Sequence, residues 1–337
     1  WPLDDDAAPT GPISYATTGR PPPSSPGGQT MSRGGLAALE VHAAPPDLDY
    51  ATLAEGFLST DLKTSPVASS SSRPSEAVRV TTWLPSGLEH SCPGASPYCL
   101  EHCYACRLER CRPTLARLVD RRLEIWQSLE PGPLMTLCAA ICQAAHRMQT
   151  RPNRGAAHYG GPPVRPILRI GGGGDLDAAA GPAWAGALHW ASTLESGLSD
   201  LRSWLYSRSY GLESGPDPLE PIALGVRDGS LPHTIAYLST DPSMEARTAA
   251  ALESPTYAHL PVAVVADDLD ACHALLDRLG RGSRMLCPTD RPGPRSWPLA
   301  SRRETEPWAQ GACSRCRGCI EPAGRRTTVP DVMFPVR

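Results

Sequence analysis

Six short apolar runs, separated by amphipathic stretches, occupy most of this 337-residue chain from about residue 76 onward. The amphipathic stretches repeat apolar residues at the spacing of a helix face, whereas the short runs have the length of buried strands. Strands that alternate with helices predict βαβ units and therefore an α/β fold with a parallel sheet. Six units are the count of a partial, open (β/α)6 barrel. The predicted strands are residues 78–84, 164–170, 203–207, 234–239, 262–266 and 284–287, and the predicted helices are residues 115–129, 135–148, 183–194, 243–252 and 269–279.

Composition divides the chain into three parts. Residues 1–75 are rich in Pro, Ser and Gly, which predicts a disordered arm because such a segment buries too little apolar surface to offset the entropy of ordering. Within the arm, residues 36–41 and 50–57 can form short helical turns. Residues 76–287 carry the barrel pattern. Residues 288–337 are predicted to be a metal-binding extension rich in Cys and Arg.

The net charge of the chain and its cysteine content limit the classes of function that we expect. The net charge of -3 gives no bulk attraction toward nucleic acid. No apolar run approaches the length that spans a bilayer, and no secretory signal is visible, so we expect a cytoplasmic protein without membrane association. Twelve cysteines in that setting favour metal binding over disulfides.

Four of these cysteines form the first cysteine group: Cys92, Cys99, Cys103 and Cys106. Thiols spaced this closely on a loop can share one metal centre. The triplet Cys99, Cys103 and Cys106 has the spacing by which radical S-adenosylmethionine (SAM) enzymes hold a 4Fe–4S cluster. The triplet that begins at Cys92 and ends at Cys103 competes with it and places the aromatic Tyr104 after its last cysteine. A zinc site that uses all four thiols is the alternative to iron–sulfur.

The C-terminal cysteine group consists of Cys287, Cys313, Cys316 and Cys319. Four thiolates complete a coordination shell, which predicts a structural or electron-transferring centre because no position remains for a substrate. An auxiliary iron–sulfur cluster and a structural zinc are both open. Arginines nearby could contact phosphate, although interspersed acids favour a solvated tail. They are Arg295, Arg302, Arg303, Arg315, Arg317, Arg325 and Arg326.

Polar residues follow three of the predicted strands. Four glycines at residues 171–174 precede Asp175, which suggests a close approach of backbone to a cofactor, or alternatively a turn into a helix cap. Arg208, Ser239 and Asp241 lie at or just beyond later strand ends, where parallel α/β folds bind ligands. Arg208 can pair a carboxylate, and Ser239 and Asp241 can reach a ribose hydroxyl; a loop salt bridge and an ordinary turn are the alternatives.

These motifs resemble the gene product 88 family, radical-SAM-like proteins of actinobacterial phages and their hosts. The match begins with Cys92-Pro93-Gly94-Ala95 and continues through Cys99 and Cys103-Tyr104-Ala105, after which the family has a basic helix. The later motifs follow in the same order over most of residues 78–320. They are Arg169 with Gly174-Asp175-Leu176, Tyr206-Ser207-Arg208-Ser209, Leu238-Ser239-Thr240-Asp241, and the C-terminal cysteine group.

The resemblance implies a radical-SAM-like barrel with Cys92, Cys99 and Cys103 as the matching cluster ligands. It further implies reductive cleavage of SAM to a 5′-deoxyadenosyl radical, with electrons from a donor such as a flavodoxin or ferredoxin. Gly173, Gly174 and Asp175 then correspond to the element that holds the methionine amine, and Arg208, Ser239 and Asp241 complete the cofactor-binding set. These residues should share one cleft with the first cysteine group. The rival hypothesis is a zinc-stapled nucleic-acid-binding protein without catalysis.

Overall fold

An eight-stranded sheet forms the centre of the computed structural model, which describes residues 48–59, 80–150, 166–194, 198–213, 215–287, 319 and 329–336. Seven of the strands run parallel, and only the short first strand is antiparallel to its neighbour. The strands are β1 (Leu58–Ser59), β2 (Thr81–Trp83), β3 (Ile167–Gly173), β4 (Arg202–Ser207), β5 (Thr234–Thr240), β6 (Val262–Ala266), β7 (Arg284–Leu286) and β8 (Asp331–Pro335).

Nine helices accompany the strands in the described ranges, most of them as crossovers between parallel strands. They are α1 (Tyr50–Phe57), α2 (Pro97–His102), α3 (Tyr104–Cys111), α4 (Pro113–Ser128), α5 (Pro131–Thr150), α6 (Ala180–Thr193), α7 (Glu220–Asp228), α8 (Glu245–Glu253) and α9 (Leu269–Arg278). The predicted α/β class is confirmed, and each of the six predicted strands is present with small shifts at its ends.

The strand order is β1-β2-β3-β4-β5-β6-β8-β7. From β2 to β6 the strands lie side by side in chain order, and all of them point the same way. Consequently their carboxyl ends meet at one edge of the sheet, where the loops that follow them also gather. The sheet remains open across the residues described above, since β1 and β7 are its two edges.

The main core lies on one face of the sheet, because strand residues alternate between its two faces. Leu168 and Ile170 of β3, Leu205 of β4 and Leu238 of β5 are all buried there against α5, α6 and α7. A smaller cluster on β6 and β8 packs against α9 through Leu275 and its neighbours. Burial of this apolar surface provides the main stabilisation of the layer.

Large aromatic side chains lie on the other face, which we call the aromatic face. Trp204 and Tyr206 come from β4, Tyr237 from β5 and Phe334 from β8. The ring centroids of Tyr206 and Tyr237 are 4.9 Å apart, and those of Tyr206 and Phe334 are 5.6 Å apart in an edge-on arrangement. Both geometries are favourable for aromatic pairs.

The helical turn predicted at residues 50–57 is confirmed as α1, whereas two other features differ from the sequence expectation. Residues 58–59 of the predicted disordered arm form β1, and Ala54, Phe57 and Leu58 are buried in the main core. Asp49 begins α1 by accepting backbone hydrogen bonds from residues 51 and 52. Within the predicted C-terminal extension, β8 is a sheet strand that the sequence analysis missed, and it lies between β6 and β7.

Candidate functional site

The carboxyl edge of the sheet brings together the ends of four strands. The segment after β2, residues 84–103, is the cysteine loop and contains α2. Asp175 follows the end of β3, Arg208 follows β4, and Asp241 follows β5. These residues and the cysteine loop therefore lie at the same edge of the sheet.

Three contacts fasten the cysteine loop to this edge. The Ser91 carbonyl accepts a hydrogen bond of 3.1 Å from the Asp175 backbone N–H. The Ser96 hydroxyl donates to the Asp241 carboxylate and also accepts the Cys99 N–H, so Ser96 begins α2 as its cap. Gly94 lies directly against the Arg208 backbone, leaving no room for a side chain at residue 94.

Cys92, Cys99 and Cys103 lie within electrostatic range of one another in the cysteine loop. Burial and, to a smaller extent, the neighbouring Asp175 carboxylate raise the pKa of Cys92 to about 12. Burial also raises the pKa of Cys99 to about 11, although the Arg208 charge opposes the shift. These two thiols therefore stay protonated at neutral pH unless a cation replaces the proton.

Cys103 differs because its sulfur caps the N-terminus of α3. The Cys106 thiol donates a hydrogen bond to it, and the backbone N–H groups of Cys106 and Ala105 add to this stabilisation. Together they outweigh burial and lower the pKa of Cys103 to about 6. The same bond raises the pKa of Cys106, which holds the shared proton. A thiolate at a helix N-terminus is a common arrangement for reactive or metal-binding cysteines.

The thiols are close, but they are not arranged as a complete set of metal ligands. Within the part of the chain that the structure describes, no three His, Cys, Asp or Glu side chains are arranged so that they could hold a metal ion. The assignment of the first cysteine group as a metal site therefore stays a prediction, supported by the chemistry and the placement of its donors.

Asp175, Arg208 and Asp241 belong to a buried polar network. The Asp175 carboxylate accepts the Arg208 backbone N–H at 2.7 Å, and the Ser207 hydroxyl also stabilises it. Burial nevertheless raises the pKa of Asp175. The Arg208 guanidinium forms a salt bridge with Asp241, whose side chain is fully buried. Three of the six predicted cofactor-binding residues are thus engaged by groups of the protein itself.

The glycine run is closely packed against other parts of the chain. A Cβ at Gly173 would overlap the indole of Trp83, and one at Gly174 would overlap the Ser91 hydroxyl. Gly174 also has a φ of +76°, which favours glycine. Close packing therefore explains why glycine occupies residues 173 and 174. Ser239 of β5 is also buried, and its carbonyl accepts the Tyr210 hydroxyl at 3.0 Å.

The sequence analysis missed several residues that organise the site. Glu109 of α3 accepts hydrogen bonds from the Trp83 indole at 2.9 Å and from Ser86 at 3.1 Å, which holds α3 against the end of β2. The Tyr104 hydroxyl donates to the Gly172 carbonyl. Ser96, which caps α2, was missed as well, although it had a usable sequence signal, since a serine before a proline is typical of a helix start.

The C-terminal cysteine group is described in part. Cys287 is buried and Cys319 is partly buried, and both pack in one apolar cluster with Tyr237. Cys313 and Cys316 lie outside the described residues, as do the seven arginines that the sequence analysis noted in this extension. The prediction of a four-cysteine centre therefore stays open.

Comparison with known proteins gives one match. The profile of the family described as Gene product 88 matches residues 58–322, which is most of the chain. The chain belongs to the gene product 88 family. No curated protein and no solved structure matches it.

The family match covers both cysteine groups of this gene product 88 protein and every strand from β1 to β7. The strand β8 lies beyond the matched residues. Among the described helices, none is both long enough and apolar enough to cross a bilayer.

Proposed function

We propose that this gene product 88 protein is a radical-SAM-like iron–sulfur protein on a partial (β/α)6 barrel. The supporting observation is the mutual proximity of Cys92, Cys99 and Cys103 at the carboxyl edge of a parallel sheet. In parallel α/β enzymes this edge is the place where chemistry occurs. The chain-order arrangement of β2 to β6 is compatible with a curved, singly wound sheet.

The donor chemistry fits an iron–sulfur cluster. Three soft thiol ligands on one loop are the donor set that such clusters require, and a single thiolate, Cys103, is favoured before metal arrives. Cys106 shares its proton with Cys103, which favours Cys92, Cys99 and Cys103 as ligands with Cys106 beside them. Side-chain rotations are needed to complete the set.

When bound, a 4Fe–4S cluster with an open iron supplies the electron for reductive cleavage of SAM. The residues of this chain position that site. Arg208 and Asp241 fix α2 through Ser96, and Asp175 fixes the start of the loop through Ser91. We therefore assign Asp175, Arg208 and Asp241 to positioning of the cysteine loop. Contacts of Gly173, Gly174 and Ser239 with SAM remain predictions.

Anaerobic purification tests this proposal. A variant in which Cys313, Cys316 and Cys319 are all replaced by Ser isolates the first cysteine group. We expect about four irons per chain and a broad visible absorbance band that dithionite bleaches. Replacing Cys92, Cys99 or Cys103 by Ala should remove the band, whereas Cys111→Ala, an exposed cysteine of α3, should retain it. A colourless protein with stoichiometric zinc would refute the proposal.

A second candidate function is a zinc-stapled nucleic-acid-binding protein. The observation that favours it is a ridge of exposed arginines on α3 and α4, directly after the cysteine loop. Basic side chains on one helical region can neutralise several phosphates. This candidate predicts zinc in the purified protein and salt-dependent binding to a duplex or single strand. The ridge consists of Arg107, Arg110, Arg112, Arg117 and Arg121.

A further inference from the structure

A continuous row of side chains connects the first cysteine group to Cys319. It begins at Tyr104, the residue after Cys103 and the first residue of α3. The Tyr104 hydroxyl lies 3.2 Å from the Arg169 guanidinium, which donates to it. Tyr104 also packs edge-on against Trp83, with ring centroids 6.1 Å apart. The start of α3 is therefore held in part by a residue from the middle of β3.

Arg169 carries the contact across the aromatic face. The carbon of its guanidinium lies 5.9 Å from the centroid of the Tyr206 ring, within the range of a cation–π interaction. Tyr206 in turn packs against Tyr237 and Phe334. A single arginine thus touches both the residue beside Cys103 and the aromatic cluster.

Cys319 closes the row at its other end. The Tyr237 hydroxyl donates a hydrogen bond of 3.3 Å to the Cys319 carbonyl. Cys319 packs beside Tyr206 in the same apolar cluster, and a hydrogen bond links their side chains. A displacement of Cys319 therefore disturbs the Tyr206 ring, which Arg169 contacts.

We propose that Arg169 is a positioning residue that couples the first cysteine group to Cys319, so that Cys319 on the aromatic face holds α3 and Cys103 in place. The inference rests on the proposed function for its purpose, namely that a fixed α3 keeps Cys103 in position to bind the cluster. Coupling of this kind is a free energy shared between two sites, and it acts equally in both directions.

Hydrogen exchange of the α3 amides in the full chain tests the coupling, because this readout reports on the first site separately from Cys319. The variants are Arg169→Gln, Cys319→Ala and the double substitution. Each single variant should speed α3 exchange by about fivefold or more, the usual lower range of coupling between sites. Exchange of the α3 amides in the double variant should be no faster than in the single variants, because both substitutions interrupt the same row of contacts.

Tyr206→Phe provides a milder variant, since it keeps the ring and removes only the hydroxyl that bonds Cys319. It should also speed α3 exchange. The matched control is Arg147→Gln, an exposed arginine of α5, which should leave α3 exchange unchanged. Unchanged α3 exchange in Cys319→Ala, or effects of Arg169→Gln and Cys319→Ala that multiply, would overturn the proposal.

Measuring metal content and α3 exchange before and after a chelator removes the metal separates the coupling from the proposed function. The metal content of the protein alone tests the proposed function. Faster α3 exchange in metal-free Cys319→Ala supports the coupling even when no iron is found. Conversely, iron in the wild-type protein with unchanged exchange in the variants rejects the coupling and leaves the proposed function standing.

Discussion

At the scale of single residues, the buried ion pair of Arg208 and Asp241 holds the cysteine loop in place through Ser96. Burial opposes ionisation of Asp241, but hydrogen bonds from Ser243 and Ser96 and the Arg208 charge outweigh it, so the pKa of Asp241 lies below its ordinary value. A buried ion pair adds limited stability against an apolar replacement, yet removing one partner leaves an uncompensated charge. The pair therefore specifies where the cysteine loop lies.

Asp241→Asn should lower the free energy of unfolding by about 3–5 kcal/mol, because it leaves the Arg208 guanidinium buried without a counter-charge. Urea denaturation followed by circular dichroism measures the change. Glu245→Gln, which removes the exposed partner of Arg278, is the control and should have little effect. Equal stability of the two variants would contradict a buried, uncompensated Arg208.

The same pair gives a pH dependence of defined sign. Because the folded-state pKa of Asp241 is lowered, its ionisation stabilises the protein at pH values above its unfolded pKa of about 4. That stabilisation is lost as pH falls below this value toward the lower folded-state pKa. The gap in unfolding free energy between wild type and Asp241→Asn should therefore narrow between pH 6 and pH 3. A constant gap would show that Asp241 does not titrate as described.

Gly173 makes a second residue-scale prediction. Gly173→Ala places a methyl group in the space of the Trp83 indole, and such overpacking costs about 1–3 kcal/mol. Gly282→Ala is the control, because nothing lies within 4 Å of the added Cβ there. Thermal unfolding of both variants should show a lower midpoint for Gly173→Ala alone. An unchanged midpoint would mean that the indole can move and that cofactor access, not packing, requires this glycine.

At the scale of elements, the start of α3 decides the chemistry of the first cysteine group. The cysteine spacing was recognised and the family resemblance implied a basic helix where α3 lies, but the residue pattern alone predicted neither α2 nor α3, because each helix is short and its apolar pattern is interrupted by the cysteines. The thiol environments came from those helices and from contacts with distant residues such as Asp175 and Arg208. Local spacing alone left the choice of triplet open for this reason.

Alkylation of the metal-free protein tests the environment of Cys103. Its labelling rate should follow a thiolate midpoint near the pKa of about 6, whereas Cys92 and Cys99 stay protonated and label slowly at pH 7. Cys106→Ala removes the donated hydrogen bond and should move the Cys103 midpoint to higher pH. Peptide mass spectrometry reads each site. Preferential labelling of Cys92 at pH 7 would contradict the arrangement.

At the scale of the whole molecule, the six regular βα repeats were predictable and the final strand was not. Alternating apolar and amphipathic stretches located β2 to β7, since each repeat buries its own stripe of apolar residues. By contrast, β8 lies after a long cysteine- and arginine-rich segment, and its position depends on pairing with strands distant in sequence. Asp331 illustrates this: it accepts the Val262 N–H at 2.7 Å and forms a salt bridge with Arg281.

A chain ended after Val329 should be markedly less stable than the full chain. Such a chain leaves an edge of β6 unpaired and removes the strand between β6 and β7, and exposed strand edges promote association. We expect a lower urea midpoint and higher oligomers in size-exclusion chromatography. Removal of Arg337 alone is the control. A truncated chain that stays monomeric with an unchanged midpoint would contradict a central role for β8.

The position of β8 also has a consequence for biosynthesis. Strands β6 and β7 leave the ribosome well before β8, yet each has β8 as its final neighbour. Both strands therefore keep an unpaired edge while the cysteine-rich segment between β7 and β8 is translated. The thiols of that segment are therefore synthesised before the sheet is complete, so a metal bound by the proposed C-terminal cysteine group would be inserted at the same late stage at which β8 pairs with its neighbours.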